Sequence, residues 1–201
     1  MYHPYFRGKQ FELITIREMA PLMAASGFVP IIEPVREALK GLERALTEIC
    51  KVEGKAIVIV NPFHGDHSDD GGGITALLEN HFLDKGGITA GILLQNDMDT
   101  SDALACYEKH KAHSPTFIHA GFTEAKALAE KLDDGLADTS HVFFEKHCHK
   151  LYRKHSRARQ NVCCFGMVSS GDATPTTRLS SSFPISMSPM TKRIWMVSAT
   201  S

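Results

Sequence analysis

The sequence predicts an α/β fold in which parallel strands alternate with helices, and three observations carry the prediction. Seven strand signals recur through about the first 165 residues, at the roughly 20 to 30 residue spacing of right-handed βα units. Stretches of helical period lie between them and supply the crossovers that parallel strands require. Ile57-Val58-Ile59-Val60 is a continuous apolar run, the pattern of a strand covered on both faces.

The elements follow in order. Tyr5-Phe6-Arg7-Gly8 reads as a short first strand, and Phe11, Leu13, Ile14, Ile16, Arg17 and residues 19–23 as a helix interrupted by Pro21. Phe28-Val29-Pro30-Ile31-Ile32 is a second strand. Ala38, Leu42, Ala45, Leu46 and Ile49 then draw an apolar stripe at helical spacing. Residues 55–60 form the third strand, 74–82 a helix, 89–94 a strand, and 101–110 a helix with Ser101 as its N-cap. Thr116-Phe117-Ile118-His119 is a strand. Thr123 caps a helix reaching Leu132 with Glu124 on its first turn, and His141-Val142-Phe143-Phe144 is the sixth strand. Residues 147–157 read as a basic helix, and Asn161-Val162-Cys163 begins another strand. A closed (β/α)₈ barrel usually takes about 250 residues; at 201 residues, length alone favours an open doubly wound sheet.

Composition excludes several classes. With 43% hydrophobic and 22% charged residues the chain is globular rather than disordered or collagenous. A net charge of −1 leaves no global attraction for nucleic acid or anionic lipid. No apolar run is long enough to span a membrane, and the start Met1-Tyr2-His3-Pro4 has no signal-peptide pattern, so a cytoplasmic location is expected. Cys50, Cys106, Cys148, Cys163 and Cys164 form no CxxC pair, which points to reduced thiols, with Cys50 and Cys106 as small core residues.

From Gly166 to Ser201 the pattern breaks: of 36 residues, 14 are Ser or Thr and four are charged, with no periodic apolar face. A disordered tail is one reading. The other comes from the genetic code. A single frame shift lets Cys163 to Val168 encode Leu-Leu-Arg-Asp-Gly and an apolar residue, Ser180 to Met187 encode Phe-Phe-Ser-Asp-Leu-His, and Ile194 to Thr200 encode Met-Asp-Gly-Phe-Gly-Asp. On that reading residues 1–163 are a barrel-like domain, and 164–201 are a Ser/Thr-rich tail translated out of frame after about residue 162.

Three stretches then carry a resemblance: Pro4-Tyr5-Phe6-Arg7-Gly8-Lys9-Gln10-Phe11-Glu12-Leu13-Ile14, Val29-Pro30-Ile31-Ile32-Glu33-Pro34-Val35, and Asn61-Pro62 with Gly65-Asp66. Together they resemble the sce-type branch of the bacterial beta-protein family, over about residues 1–163 and, in the shifted frame, beyond. The resemblance implies a longer relative built as a barrel of βα units, uncharacterised in activity and often encoded in mobile or phage-defence neighbourhoods. It reverses the length argument. An incomplete TIM-barrel-like (β/α) repeat with parallel strands, followed by an irregular or disordered tail, becomes the expected fold.

In either architecture polar residues just past the strand C-termini converge on one rim, where ligands bind. The candidates are Arg7, Lys9 and Gln10 after the first strand, Glu33 after the second, and Asn61, His64 and Asp66 after the third. Gln95, Asn96 and Asp97 follow the fourth, His119 ends the fifth, and Glu145 and Lys146 follow the sixth. Lys9, Glu33, Asn61 and Glu145 could hold a phosphorylated or carboxylated ligand, with Lys9, Glu33 or Glu145 as catalytic candidates and a carboxylate as general base. The structural alternative pairs Arg7 or Lys9 with Glu33 or Glu145 across the mouth.

Residues 64–73 gather His64, His67, Asp66, Asp69, Asp70 and four glycines, types that suit a divalent metal or a phosphate. They match neither a P-loop nor an EF-hand; a solvated flexible loop is expected, with no metal and no cofactor assigned. Residues 146–159 contain six Lys or Arg, three His and no acid. Through Lys150, Arg153, Lys154 and Arg157 this stretch could neutralise nucleic-acid phosphates, or form a solvated helix face. His3, His81, His110 and His113 are placed on loops or polar helix faces. Two kinds of function stay open: a rim that binds an anionic small ligand, and a non-catalytic interaction or nucleic-acid-binding component working with a protein encoded nearby. A decayed gene product with open sheet edges is the third possibility.

Overall fold

The computed structural model describes residues 2–83, 85–132, 139–144 and 160–161. Along the chain run β1 (Tyr5–Phe6), α1 (Gln10–Ala25), β2 (Ile31–Ile32), α2 (Lys40–Lys51), β3 (Ala56–Ile59), α3 (Gly72–His81) and β4 (Ile88–Leu94). They are followed by α4 (Thr100–Lys109), a 3-10 turn (Lys111–His113), β5 (Thr116–His119), α5 (Ala125–Leu132), β6 (Ser140–Phe143) and β7 (Gln160–Asn161). The alternation expected from the sequence is present.

The spatial order of the strands is their order in sequence, and every neighbouring pair is parallel. A doubly wound sheet reverses its order at a switch point; this sheet has none among the described strands. Crossovers of one hand that always step in one direction put all their helices on one face, which is the winding of a barrel.

Strand alternation sorts side chains into two layers. Ile32, Val58, Val60, Ala90, Ile92, Leu94 and Phe117 pack with the helices. Val29, Ile31, Ile57, Ile59, Leu93, Ile118 and Val142 form a second apolar layer on the concave side. Gly91 belongs to that inner layer, where a Cβ would lie 2.8 Å from Ile57 Cγ2 and 2.9 Å from Ile118 Cδ1. The missing side chain is what lets those isoleucines meet.

The inner layer also shows that the sheet curls. The rings of Tyr5, on β1, and Phe144, just past β6, lie edge to face with centroids 5.4 Å apart. A flat sheet at roughly 4.8 Å per strand would hold β1 and β6 about 24 Å apart. The described strands therefore form a curled half-barrel.

The helices attach by the predicted stripes, with local differences. α2 buries Leu42, Ala45, Leu46 and Ile49, but it begins after Ala38, which is exposed. α1 continues through Pro21 instead of stopping there; the exposed proline forgoes one backbone bond that sixteen residues of packed helix tolerate. α4 is capped by Asp99, whose carboxylate accepts from Asp102 N, rather than by Ser101. Glu124, rather than Thr123, stands immediately before α5, its carbonyl accepting from Leu128 N at 3.0 Å, while its side chain accepts from Thr100 N and Thr100 Oγ1 and closes the start of α4. Cys50 and Cys106 are half-buried against the helix-side core, where burial pushes the Cys106 thiol up to about 11.

His3, His110 and His113 are buried rather than on polar surfaces. His110 is drawn in because its ring joins two helices: Nε2 meets Thr75 Oγ1 at 3.0 Å and Nδ1 meets the Cys106 carbonyl at 2.9 Å. Among the described residues no helix is long and apolar enough to cross a membrane.

Candidate functional site

The site is built where β1, β2 and β3 end. Beyond β1 the chain turns at Gly8, with φ of +61°, so near β2 that a Cβ there would lie 2.9 Å from the Glu33 carbonyl oxygen. The ladder continues one step past β2 through Glu33 N donating to the Phe6 carbonyl at 2.8 Å. Two residues beyond Ile31, the Glu33 side chain falls on the concave side with Tyr5.

Glu33 is fully buried, so its carboxyl oxygens must be met by hydrogen bonds. Four donors meet it. Tyr5 Oη donates to Oε2 at 2.7 Å, and Oε1 accepts from Phe63 N and His64 N, each at 3.0 Å, and from the His64 ring at 3.1 Å through Nδ1. A carboxylate only accepts, so this contact places the neutral-ring proton on Nδ1 and leaves the lone pair on Nε2. The His64 side chain is 45% exposed. Phe63, also exposed, meets its ring edge-on at 4.8 Å.

The Tyr5 phenol is held well above its ordinary pKa by burial first, then by the Glu33 charge and hydrogen bond, with Arg7 acting in the opposite sense. Tyr5 is thus a fixed donor. Arg7 is half-buried and, among the described residues, forms no ion pair. Glu33 does not pair with it. Lys9 is exposed at the start of α1, where its backbone N–H donates to Glu12 Oε2 at 3.1 Å.

The remaining sequence candidates divide. Asn61 is engaged with β4, its Nδ2 donating to the Leu93 carbonyl at 2.9 Å and its Oδ1 accepting from Leu93 N at 2.8 Å. Asp66 accepts from Glu37 N at 2.9 Å and ties two loops together. Gln95 is half-buried, and Gln10, Asn96 and Asp97 are exposed. Glu145, Lys146, Lys150, Arg153, Lys154 and Arg157 lie outside the described residues, and so does the rest of the basic stretch.

His119 is not at the mouth. It shares the parity of Phe117, which stacks on Tyr107 of α4, so its side chain enters the helix-side layer. There Nε2 meets His141 Nδ1 at 2.9 Å, and His141 Nε2 meets Thr139 Oγ1 at 3.0 Å. Burial and the neighbouring His141 hold His119 well below the ordinary imidazole value, and burial brings His141 down to about 4.

The loop at residues 64–73, expected to be loose, is docked. Asp66 N donates to the Val35 carbonyl at 3.2 Å, and the buried His67 ring meets the Arg36 carbonyl at 3.1 Å. Among the described residues no three His, Cys, Asp or Glu side chains converge as metal ligands would.

Tyr5 escaped the sequence reading because a strand tyrosine looks like core. Its signal was parity: paired with Ile31, it faces the same side as Glu33 two residues on. Comparisons with protein-family models, curated proteins and solved structures find no match for this chain.

Proposed function

We propose that the rim formed by the ends of β1, β2 and β3 binds a small anionic ligand bearing a phosphate or carboxylate. The observation that carries this reading is the disposition of Arg7. The neighbouring buried carboxylate, Glu33, is already met by Tyr5, Phe63 and His64, so among the described residues the half-buried guanidinium pairs with no carboxylate and has its donors for a ligand. Its planar fork suits a phosphate or carboxylate. Lys9, two residues further along and exposed, adds positive charge. The resemblance to the beta-protein family, carried by the motifs around Arg7, Glu33 and Asn61, agrees with a ligand-binding rim but supplies no reaction; barrels of βα units host many chemistries.

The test is titration of the full chain with inorganic phosphate and with a small dicarboxylate, read by amide NMR. Shifts confined to the residues around Arg7, Lys9 and His64, lost in Arg7→Ala with the fold intact, support the reading. Binding unchanged in Arg7→Ala, or no shifts with either anion at low salt, overturns it.

A further inference from the structure

We propose that His64 is a general base that activates water against an ester bond of the ligand held at this rim. The inference rests on the anion-binding reading for the substrate class, esters of small anionic molecules. The base itself rests on separate geometry.

Three features make His64 unlike an ordinary surface histidine. Its Nδ1 is 3.1 Å from a carboxylate oxygen that is itself fully buried, so the ring is oriented and its tautomer fixed. That carboxylate is a positioning group held from behind by the Tyr5 hydroxyl and by the backbone N–H of Phe63 and of His64 itself. Among the described residues Nε2 makes no hydrogen bond, and nearly half of the side chain is exposed. His81 supplies the contrast: its ring is also exposed, but its nearest carboxylate, Glu43, is 4.0 Å away and itself partly exposed.

The proton balance is simple. Nε2 takes a proton from water as the water oxygen bonds to the acyl carbon, and the imidazolium so formed is stabilised by Glu33. The acyl–oxygen bond then breaks, and the departing alkoxide takes the proton back from Nε2. One water is consumed, and a carboxylic acid and an alcohol are released. Glu33 takes no proton in the step and keeps the ring in place through Nδ1, as the orienting acid of a carboxylate–histidine pair does. Phe63, edge-on to the ring, offers apolar contact to the organic part of the ester.

The full chain is assayed with 4-nitrophenyl acetate, a neutral ester that needs no anion site, beside His64→Ala and His81→Ala. The proposal expects the protein-dependent rate to fall roughly tenfold or more in His64→Ala, below the range general bases reach with their own substrates, and to persist in His81→Ala. Equal rates in His64→Ala and the unsubstituted chain overturn it, and so does an equal fall in His81→Ala. In the unsubstituted chain, ¹⁵N NMR of the ring, followed upward in pH until it carries a single proton, should show that proton on Nδ1 and Nε2 bare; the opposite tautomer also overturns the proposal. Glu33→Gln, where it folds, should shift the rate's pH profile as well as its height, whereas a purely structural Glu33 would change height alone. Phosphate titration reads the anion site separately: no phosphate response with the His64→Ala loss intact removes the anion reading and leaves the base standing. A phosphate response without that loss removes the base.

Discussion

Gly65 packs against Val35 so closely that a Cβ on it would lie 2.2 Å from the Val35 carbonyl oxygen, and its φ of +87° is one that side chains resist. This contact seats the loop after β3 on the loop after β2. The Asp66 bonds to Val35 and Glu37 follow from it, and His64, one residue earlier, is set against Glu33. The site thus depends on a glycine that touches no ligand.

Gly65→Ala should therefore destabilise the chain by about 1–3 kcal/mol, since strained backbone and steric overlap act together. Gly27→Ala is the control. Gly27 also has positive φ, +66°, but nothing lies within 4 Å of its would-be Cβ, so only the conformational cost of about 1 kcal/mol applies. Urea unfolding of both variants checks the difference. Equal losses would mean that the Val35 contact yields at little cost.

The strand order and the apolar layers were legible because they rest on short-range pattern: alternation in the strands, the α2 stripe, turn residues between them. The Glu33 site was only half legible. That Glu33 ends a strand is visible in the sequence, but that Tyr5, Phe63 and His64 all donate to it depends on a loop docked by Gly65, a contact between residues about thirty apart. His119 went astray for a related reason. Position at a strand end suggested the rim, whereas parity with Phe117 sends the side chain to the helix layer, and parity decides.

Stability should fall as the solution is made acid through the buried histidines. Burial lowers His119 and His141, with His141 near 4, while the unfolded chain protonates its imidazoles from about 6.5. Below that value the unfolded state binds more protons, so stability is fully present above pH 6.5 and declines as pH drops toward 4. His110, lowered chiefly by burial, adds in the same direction. The melting temperature should be level near pH 7–8 and fall from about pH 6.5 downward. Replacing His119 and His141 by Phe, which matches the rings of Phe117 and Phe143 beside them, should take up to about 1.4 kcal/mol per pH unit per group out of that slope. An unchanged slope would assign the acid sensitivity elsewhere.

His113 offers a stabilising substitution. It is buried, and among the described residues neither ring nitrogen has a hydrogen-bond partner. Burial lowers its pKa, with Glu79 acting in the opposite sense, so the neutral ring carries an uncompensated desolvation cost. Replacing such a group with an apolar one of similar size is neutral or favourable. His113→Leu should raise stability by about 1 kcal/mol, measured by thermal and urea unfolding. A loss of comparable size would reveal a partner for the imidazole, such as an ordered water.

Asn61 separates the two roles that a rim residue can have. Its amide supplies both a donor and an acceptor to Leu93, which is nearly fully buried, and so extends the β3–β4 pairing past the end of the strand. Removing the amide in Asn61→Ala leaves the Leu93 N–H and carbonyl without these partners, at a cost of about 1–3 kcal/mol. Asn61→Asp keeps the acceptor but sets a carboxylate oxygen against the Leu93 carbonyl, and should cost at least as much. Because the amide is used up on β4, phosphate affinity at the rim should be unchanged in Asn61→Ala once the comparison is made where the variant is fully folded. If affinity instead drops with Asn61 while unfolding is unaffected, the amide leaves Leu93 to meet the ligand, and the rim rearranges on binding.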